Sequence, residues 1–376
     1  MSVNLLIAQV LLAVLGLIGI ATAEPDLVPR HFAFTVAAIA LTFLASRLPV
    51  KFLLKLAPYF WSATLLLLVA TLFLGEGGND SPVKRWLDLG FIRFQPSELA
   101  KLGLILMLGS FFARKGVQRK LLGAIFIIGS TTLLVLLEPD LGTSVLIFSL
   151  GLVMMFAAGV RFTSISAVVI FVVLAGMPFV SGYLERNPYI VERFTGHVRT
   201  VQGEDTRQNE GYQLFAARRA MTEGGLWGLG VDAPKYRVPA GHTDMIVASI
   251  AFATGLIGVV ILLLAYWLVV HSGLSAAELV VAGRQLTPEL HGASVMASGA
   301  MYMIVGQAFI NLGVAAGIFP VTGIPLPMVS WGGTGQFATA LAFALIHAAL
   351  REVRREKGGR KPATQPTLEE AASGAN

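Results

Sequence analysis

Apolar runs of membrane-spanning length alternate with short polar connectors along nearly the whole chain. A helix needs about 17 to 25 residues to cross a bilayer, and runs of roughly that size fall at 4–23, 31–47, 52–74, 96–113, 121–137, 143–159, 164–180, 245–270, 294–315 and 336–350. About ten such runs predict an all-α polytopic membrane protein, because a helix satisfies its backbone polar groups within the segment that spans. Two connectors are long: 75–95, and 181–243 between the seventh and eighth runs, which far exceeds ordinary connections. Within the second, 211–223 reads as an amphipathic helix at the membrane surface, with Leu214, Phe215 and Met221 set against Arg218 and Arg219. Gly224-Gly225-Leu226-Trp227-Gly228-Leu229-Gly230 follows, and its glycines permit tight turns and close backbone approach. The segment 357–376, rich in Gly, Pro, Ala, Thr and Glu, predicts a disordered tail after one transmembrane domain, 1–356.

Charge orients the runs. Arg47, Lys51 and Lys55, then Arg114, Lys115, Arg119 and Lys120, then Arg351, Arg354, Arg355, Lys357, Arg360 and Lys361 share one side when the number of spans is even. The positive-inside rule makes that side the cytoplasm. Both termini are then cytoplasmic and the two long loops extracytoplasmic. The first run lacks a basic n-region and a small-residue cleavage site ahead of Glu24-Pro25-Asp26, which predicts a retained helix rather than a signal peptide. A hydrophobic share of 55% and a mean hydropathy of +0.73 exclude an ordinary soluble domain. The net charge of +6 does not predict a nucleic-acid partner, since the basic residues lie mainly where membrane topology puts them. With no cysteine, disulfides and thiolate metal sites are excluded.

Against this background a few polar residues stand out. Asp244 closes Pro239-Ala240-Gly241-His242-Thr243-Asp244 just before the eighth run. An acid at the mouth of a membrane helix marks a functional site or caps the helix, and position alone favours the cap. Glu98 and Lys101, three apart, share a helical face and pair, either fixing packing or lining a solvated cavity. Asp140 of Glu138-Pro139-Asp140 is placed to cap the helix at Thr143. Gln307 and Asn311 put two amides on one face, as interhelical glue or cavity lining. The prolines of 319–335 preclude a regular helix and predict a re-entrant or cavity-lining loop. Lys84, Arg85, Arg193, Arg199, Arg218, Arg219, Lys235 and Arg237 form an outward basic set, of which a convergent few would suit a pyrophosphate or phospholipid head group. Walker, dinucleotide-binding, metal-cluster and nucleophile-elbow motifs are absent, and His242 next to Asp244 is too weak a signal for a catalytic dyad, since residues two apart on an extended segment need not converge. From the residues alone, transport and catalysis at the outer face stay equally open.

Taken in order, Lys84-Arg85-Trp86-Leu87, Phe94-Gln95-Pro96-Ser97-Glu98-Leu99-Ala100-Lys101, Glu138-Pro139-Asp140-Leu141-Gly142-Thr143, Gly211-Tyr212-Gln213, His242-Thr243-Asp244, 307–317 and 320–333 resemble the SEDS family of shape, elongation, division and sporulation proteins, of RodA/FtsW type. The Gly-Tyr-Gln run and the proline-rich loop lean slightly toward the FtsW branch. The resemblance implies a ten-helix protein of the bacterial cytoplasmic (inner) membrane. Such a protein polymerises lipid II, an undecaprenyl-pyrophosphate-linked disaccharide peptide, at the outer face for division or elongation, and works with a class B penicillin-binding protein that crosslinks the product. It further implies that Asp244 is the catalytic base of an inverting glycosyl transfer, taking the proton from the acceptor 4-hydroxyl as that oxygen attacks the anomeric carbon. Basic residues, or a divalent cation such as Mg or Mn, would stabilise the departing pyrophosphate. Trp86 and the Glu98–Lys101 pair fall at further family positions. With Arg218, His242, Gln307, Asn311 and Ser330 they complete the expected substrate-binding or cavity set, which includes no metal ligand.

The chain also departs from the family pattern. Where many relatives carry Phe-Ile-Phe and then Glu-Glu-Leu-Gly, it has Met245-Ile246-Val247 and Phe252-Ala253-Thr254-Gly255. The usual Ser-Tyr-Gly-Gly-Ser is Ser330-Trp331-Gly332-Gly333-Thr334. These changes leave a divergent substrate contact or a weakened enzyme open. A lipid II flippase and a non-catalytic scaffold for cell-wall enzymes are the competing functions.

Overall fold

Each predicted apolar run is one helix in the computed structural model, which describes residues 2–77, 84–88, 90, 93–113, 121–202, 210–233, 238–281 and 287–359. The runs correspond to α1 (Val3–Ala23), α2 (Val28–Ala45), α3 (Val50–Leu74), α4 (Pro96–Ala113), α5 (Leu121–Leu137), α6 (Leu141–Ala157), α7 (Phe162–Arg186), α10 (Ile246–Val281), α11 (Pro288–Ala315) and α12 (Gly333–Gly359). Among the described residues, 8 helices are long and apolar enough to cross a membrane. The 17-residue α5 and α6 sit at the short end of the spanning range. The protein is therefore a multi-pass membrane protein.

The two long loops carry their own structure. A small antiparallel sheet, β1 (Glu76–Gly77), β2 (Lys84–Asp88) and β3 (Arg93–Phe94), occupies the first. The second holds α8 (Pro188–Val201) and α9 (Glu210–Gly224). The amphipathic pattern at 211–223 anticipates α9, which packs against α10. The pattern did not reveal α8. It arises because α7 continues past its apolar run until Asn187-Pro188, where a residue before proline disfavours helix and proline then suits a first helical position. At the other end, α12 runs to Gly359, past the expected boundary at 356, and the rest of the expected tail, 360–376, lies outside the described residues.

The bundle is organised around α11, which is buried over most of its length and contacts α3, α4, α6, α9, α10 and α12. Buried polar side chains join helices far apart in sequence, as expected where water cannot satisfy them. Gln9 Nε2 donates to Thr42 Oγ1 at 2.8 Å, and that hydroxyl donates to the Ala340 carbonyl at 3.1 Å. Gln336 Nε2 lies 3.2 Å from Nδ1 of buried His31, and the Ser2 amide donates to His347 Nδ1 at 3.2 Å. In α10 the helix is interrupted at Gly255, whose φ of 66° and ψ of −164° are not helical.

Candidate functional site

Two loops from distant parts of the chain meet at the N-terminal end of α10. The turn 238–245 folds on itself through the Gly241 amide to the Val238 carbonyl and the Met245 amide to the Ala240 carbonyl, both 3.0 Å. Over it lies the proline-rich segment. Ser330 Oγ donates to the Thr243 carbonyl at 2.7 Å, and the Trp331 amide donates to the His242 carbonyl at 2.9 Å. Asn311 Nδ2 donates to the Asp244 carbonyl at 3.0 Å and to the Ile324 carbonyl at 2.9 Å, fastening both loops to α11. The segment is thus largely buried and irregular, as its prolines predicted. Ala240 (φ 53°) and Met328 (φ 66°) hold left-handed backbones beside the site. Such strain costs about 1–3 kcal/mol per residue and persists where surrounding contacts over-determine it.

Asp244 is half-buried at this junction. Burial pushes its carboxyl up to about 6, and the Arg193 guanidinium opposes that rise. Among the described residues no amide of the first turn of α10 donates to the carboxylate, so its geometry is not that of a helix cap. One turn along α11 from Asn311, Gln307 joins a second polar group. Lys101 Nζ is 2.7 Å from Glu98 Oε1, both side chains are buried, and the Gln307 amide, oriented to suit its neighbours, accepts from the same Nζ at 2.7 Å.

A cavity of about 380 Å³ opens beside the junction. Its walls include Leu141, Ile310, Phe319 and Ile324, and its polar lining is Arg85, Asp140, Tyr189, Arg193 and Thr322. Arg85 is held by the Glu138 carbonyl at 3.3 Å, by the Pro139 carbonyl, by Tyr189 Oη at 3.0 Å and by Asp140 Oδ1 at 3.7 Å. Asp140 also caps α6 through the Thr143 amide at 3.1 Å, as predicted. Burial, reinforced by the charge of Asp140, pushes the neighbouring Glu138 carboxyl up to about 8, against Arg85. Asp140→Ala is expected to cost about 1 kcal/mol through the lost cap, with Asp140→Asn losing less because its amide oxygen still accepts; thermal unfolding of the two variants measures the difference.

The expected site residues therefore divide. Asp244, His242, Asn311 and Ser330 converge, with His242 contributing its carbonyl, and Glu98, Lys101 and Gln307 form the adjoining buried group. Arg218 is elsewhere: its Nη2 donates to the Ala316 carbonyl at 3.3 Å and so closes the C-terminal end of α11. Trp86 lies on β2 opposite Glu76, in the small sheet. In the sequence Arg193 stands out only as a member of the outward basic set, Arg85 also as part of the Lys84-Arg85-Trp86-Leu87 run, and nothing singles out Tyr189. Phe252 is buried with Met245, Ala248, Ala217, Ala220 and Val314 in an apolar cluster. No three of His, Cys, Asp and Glu converge as metal ligands among the described residues, and the cationic lining of the cavity is guanidinium.

The model of the cell cycle protein family FtsW/RodA/SpoVE matches residues 4–355. The chain belongs to this family. It is 34% identical over 299 residues to peptidoglycan glycosyltransferase MrdB of Escherichia coli strain K12, covering 77% of this chain and 76% of that protein. It is 32% identical over 327 residues to the probable peptidoglycan glycosyltransferase FtsW of Coxiella burnetii, covering 84% of each. Identities to the two are comparable and do not separate the branches. Among solved structures, a chain from one described as structural coordination of polymerization and crosslinking by a peptidoglycan synthase complex aligns with a TM-score of 0.74 and 27% identity, over 93% of this chain and 98% of that one. The crystal structure of Thermus thermophilus rod shape determining protein RodA aligns with a TM-score of 0.65 and 26% identity, over 93% and 97%.

Proposed function

We propose that this chain is a peptidoglycan glycosyltransferase of the bacterial cytoplasmic membrane, with both termini cytoplasmic and with lipid II as its substrate. The observation that carries the reading is Asp244: a half-buried carboxylate, ionised above pH about 6, on a junction of two loops tied by Asn311 and Ser330. A carboxylate so placed takes the proton of the acceptor hydroxyl as its oxygen bonds to the anomeric carbon. The bond from that carbon to the lipid diphosphate breaks on the opposite face, which inverts the centre. The apolar walls of the adjoining cavity suit a polyprenyl chain, and Arg85 and Arg193 suit the diphosphate that leaves with it. A crosslinking partner of class B penicillin-binding type is supported by the structural neighbour, whose complex couples polymerization to crosslinking.

The test is glycan-chain formation from lipid II by the purified protein with such a partner. Chains support the enzyme; translocation of lipid II across vesicles without chains supports a flippase, and partner binding with neither supports a scaffold. The rate of an active enzyme is expected to rise with pH through about 6, as the raised Asp244 carboxyl ionises. Arg193 favours the ionised form, so Arg193→Gln is expected to move that rise to higher pH. A pH–rate profile of the two proteins checks both statements.

A further inference from the structure

The interruption of α10 is matched, group for group, by the glycine-rich segment 224–230. In an unbroken helix the Leu256 amide would reach the Phe252 carbonyl and the Ile257 amide the Ala253 carbonyl. Instead the Leu229 amide donates to the Phe252 carbonyl at 2.9 Å and the Gly230 amide to the Ala253 carbonyl at 3.1 Å. From the other side, the Leu256 amide donates to the Gly225 carbonyl at 2.9 Å and the Ile257 amide to the Leu226 carbonyl at 3.4 Å. These four groups, two carbonyls before the break and two amides after it, are satisfied by the segment. Approach this close requires glycine on both partners. A Cβ on Gly255 would lie 2.4 Å from the Leu226 backbone, and one on Gly228 would lie 2.2 Å from the Ala253 carbonyl oxygen, with φ values of 66° and 80°.

The short helical piece before the break, 246–254, bears directly on the Asp244 turn. Ser249 Oγ donates to the Gly241 carbonyl at 2.8 Å, and Met245, Ala248 and Phe252 pack on Ala217 and Ala220 of α9. Since α9 leads straight into 224–230, the chain closes a ring: α9, the glycine segment, the short helical piece and the turn that presents Asp244. That ring meets the remainder of α10 at the Gly255 joint, where the Leu256 and Ile257 amides bond to the segment.

We propose that 224–230 is a backbone clamp that sets the position of Asp244, with Gly228 and Gly255 as positioning residues; this rests on the reading of Asp244 as the base. The clamp holds the first turns of α10 at an angle that a continuous helix would not give. In the lipid II polymerisation assay of the whole chain with its partner, Gly228→Ala is expected to lower kcat by ~10- to 100-fold while KM changes less than roughly twofold. Gly196→Ala, on α8, where an added methyl meets open space, is expected to change neither. Gly230→Ala provides a milder variant, because its methyl meets no neighbour but alanine resists a φ of 88°. Amide hydrogen exchange of this variant without substrate is expected to quicken at Leu229, Leu256 and Ile257 and through 245–254 together, and not in 260–275. Faster exchange at the clamp with 245–254 unchanged would overturn the proposal, as would a folded Gly228→Ala protein with normal kcat. Coupled exchange alongside a fully active Asp244→Asn protein would sink the base and leave the clamp. Uncoupled exchange with an inactive Asp244→Asn protein would sink the clamp alone.

Discussion

Asp244→Asn is expected to lower kcat for glycan polymerisation by ~10²- to 10⁴-fold, the range a positioned general base contributes. The substitution keeps the shape of the side chain and leaves the backbone carbonyl that Asn311 grips. It should also leave the fold intact. Burial raises the Asp244 carboxyl to about 6, so the protonated form suits the folded protein and the charge carried above that pH weakens it. Removing the charge is therefore expected to leave stability at pH 7 unchanged or slightly higher. Polymerisation rate and thermal unfolding, measured on one preparation, check the pair of statements. Equal rates in the two proteins would end the assignment of Asp244 as base.

The largest expected effect on stability belongs to the buried ion pair. Lys101→Met leaves Glu98 inside the bundle without the ammonium that lies 2.7 Å away, and Gln307 loses its donor as well. Breaking a buried pair from one side costs about 3–5 kcal/mol, because a charge remains without compensation. The double variant Glu98→Gln/Lys101→Met removes both charges, and much of the loss should return. Unfolding midpoints of wild type, single and double variants give the coupling directly. A single variant no less stable than the double would show that the pair contributes nothing as a pair.

The fold was legible because lipid imposes a coarse rule: a span must be long, apolar and helical. Hence the limits of α4 and α5 coincide with the apolar runs. The rule is silent outside the bilayer, which is why α8 went unseen between Arg186 and the undescribed residues after Gln202. Part of the site was legible for a similar reason, since an intramembrane Lys101 or a carboxylate at Asp244 demands a partner or a role. The contact of Arg218 with the Ala316 carbonyl was not legible, because an arginine on an amphipathic helix reads the same whether it faces a ligand or the end of α11. Proximity of Asp244 to Arg193 could not be read at all, as it depends on how α8 lies against the turn before α10.

The contacts of α12 also bear on how the molecule is made. Helices enter the membrane in chain order, yet Gln336 meets His31 across 305 residues, the Ala340 carbonyl meets Thr42 across 298, and Ser330 meets Thr243 across 87. While the ribosome is still extending the chain, the imidazole of His31 has no Gln336 to face, and the turn before α10 has nothing above it. The candidate site is thus complete only once α11, the proline-rich segment and α12 have joined the earlier helices. A nascent chain stalled before that point would hold the Asp244 carboxylate on a turn that Asn311 and Ser330 do not yet fasten.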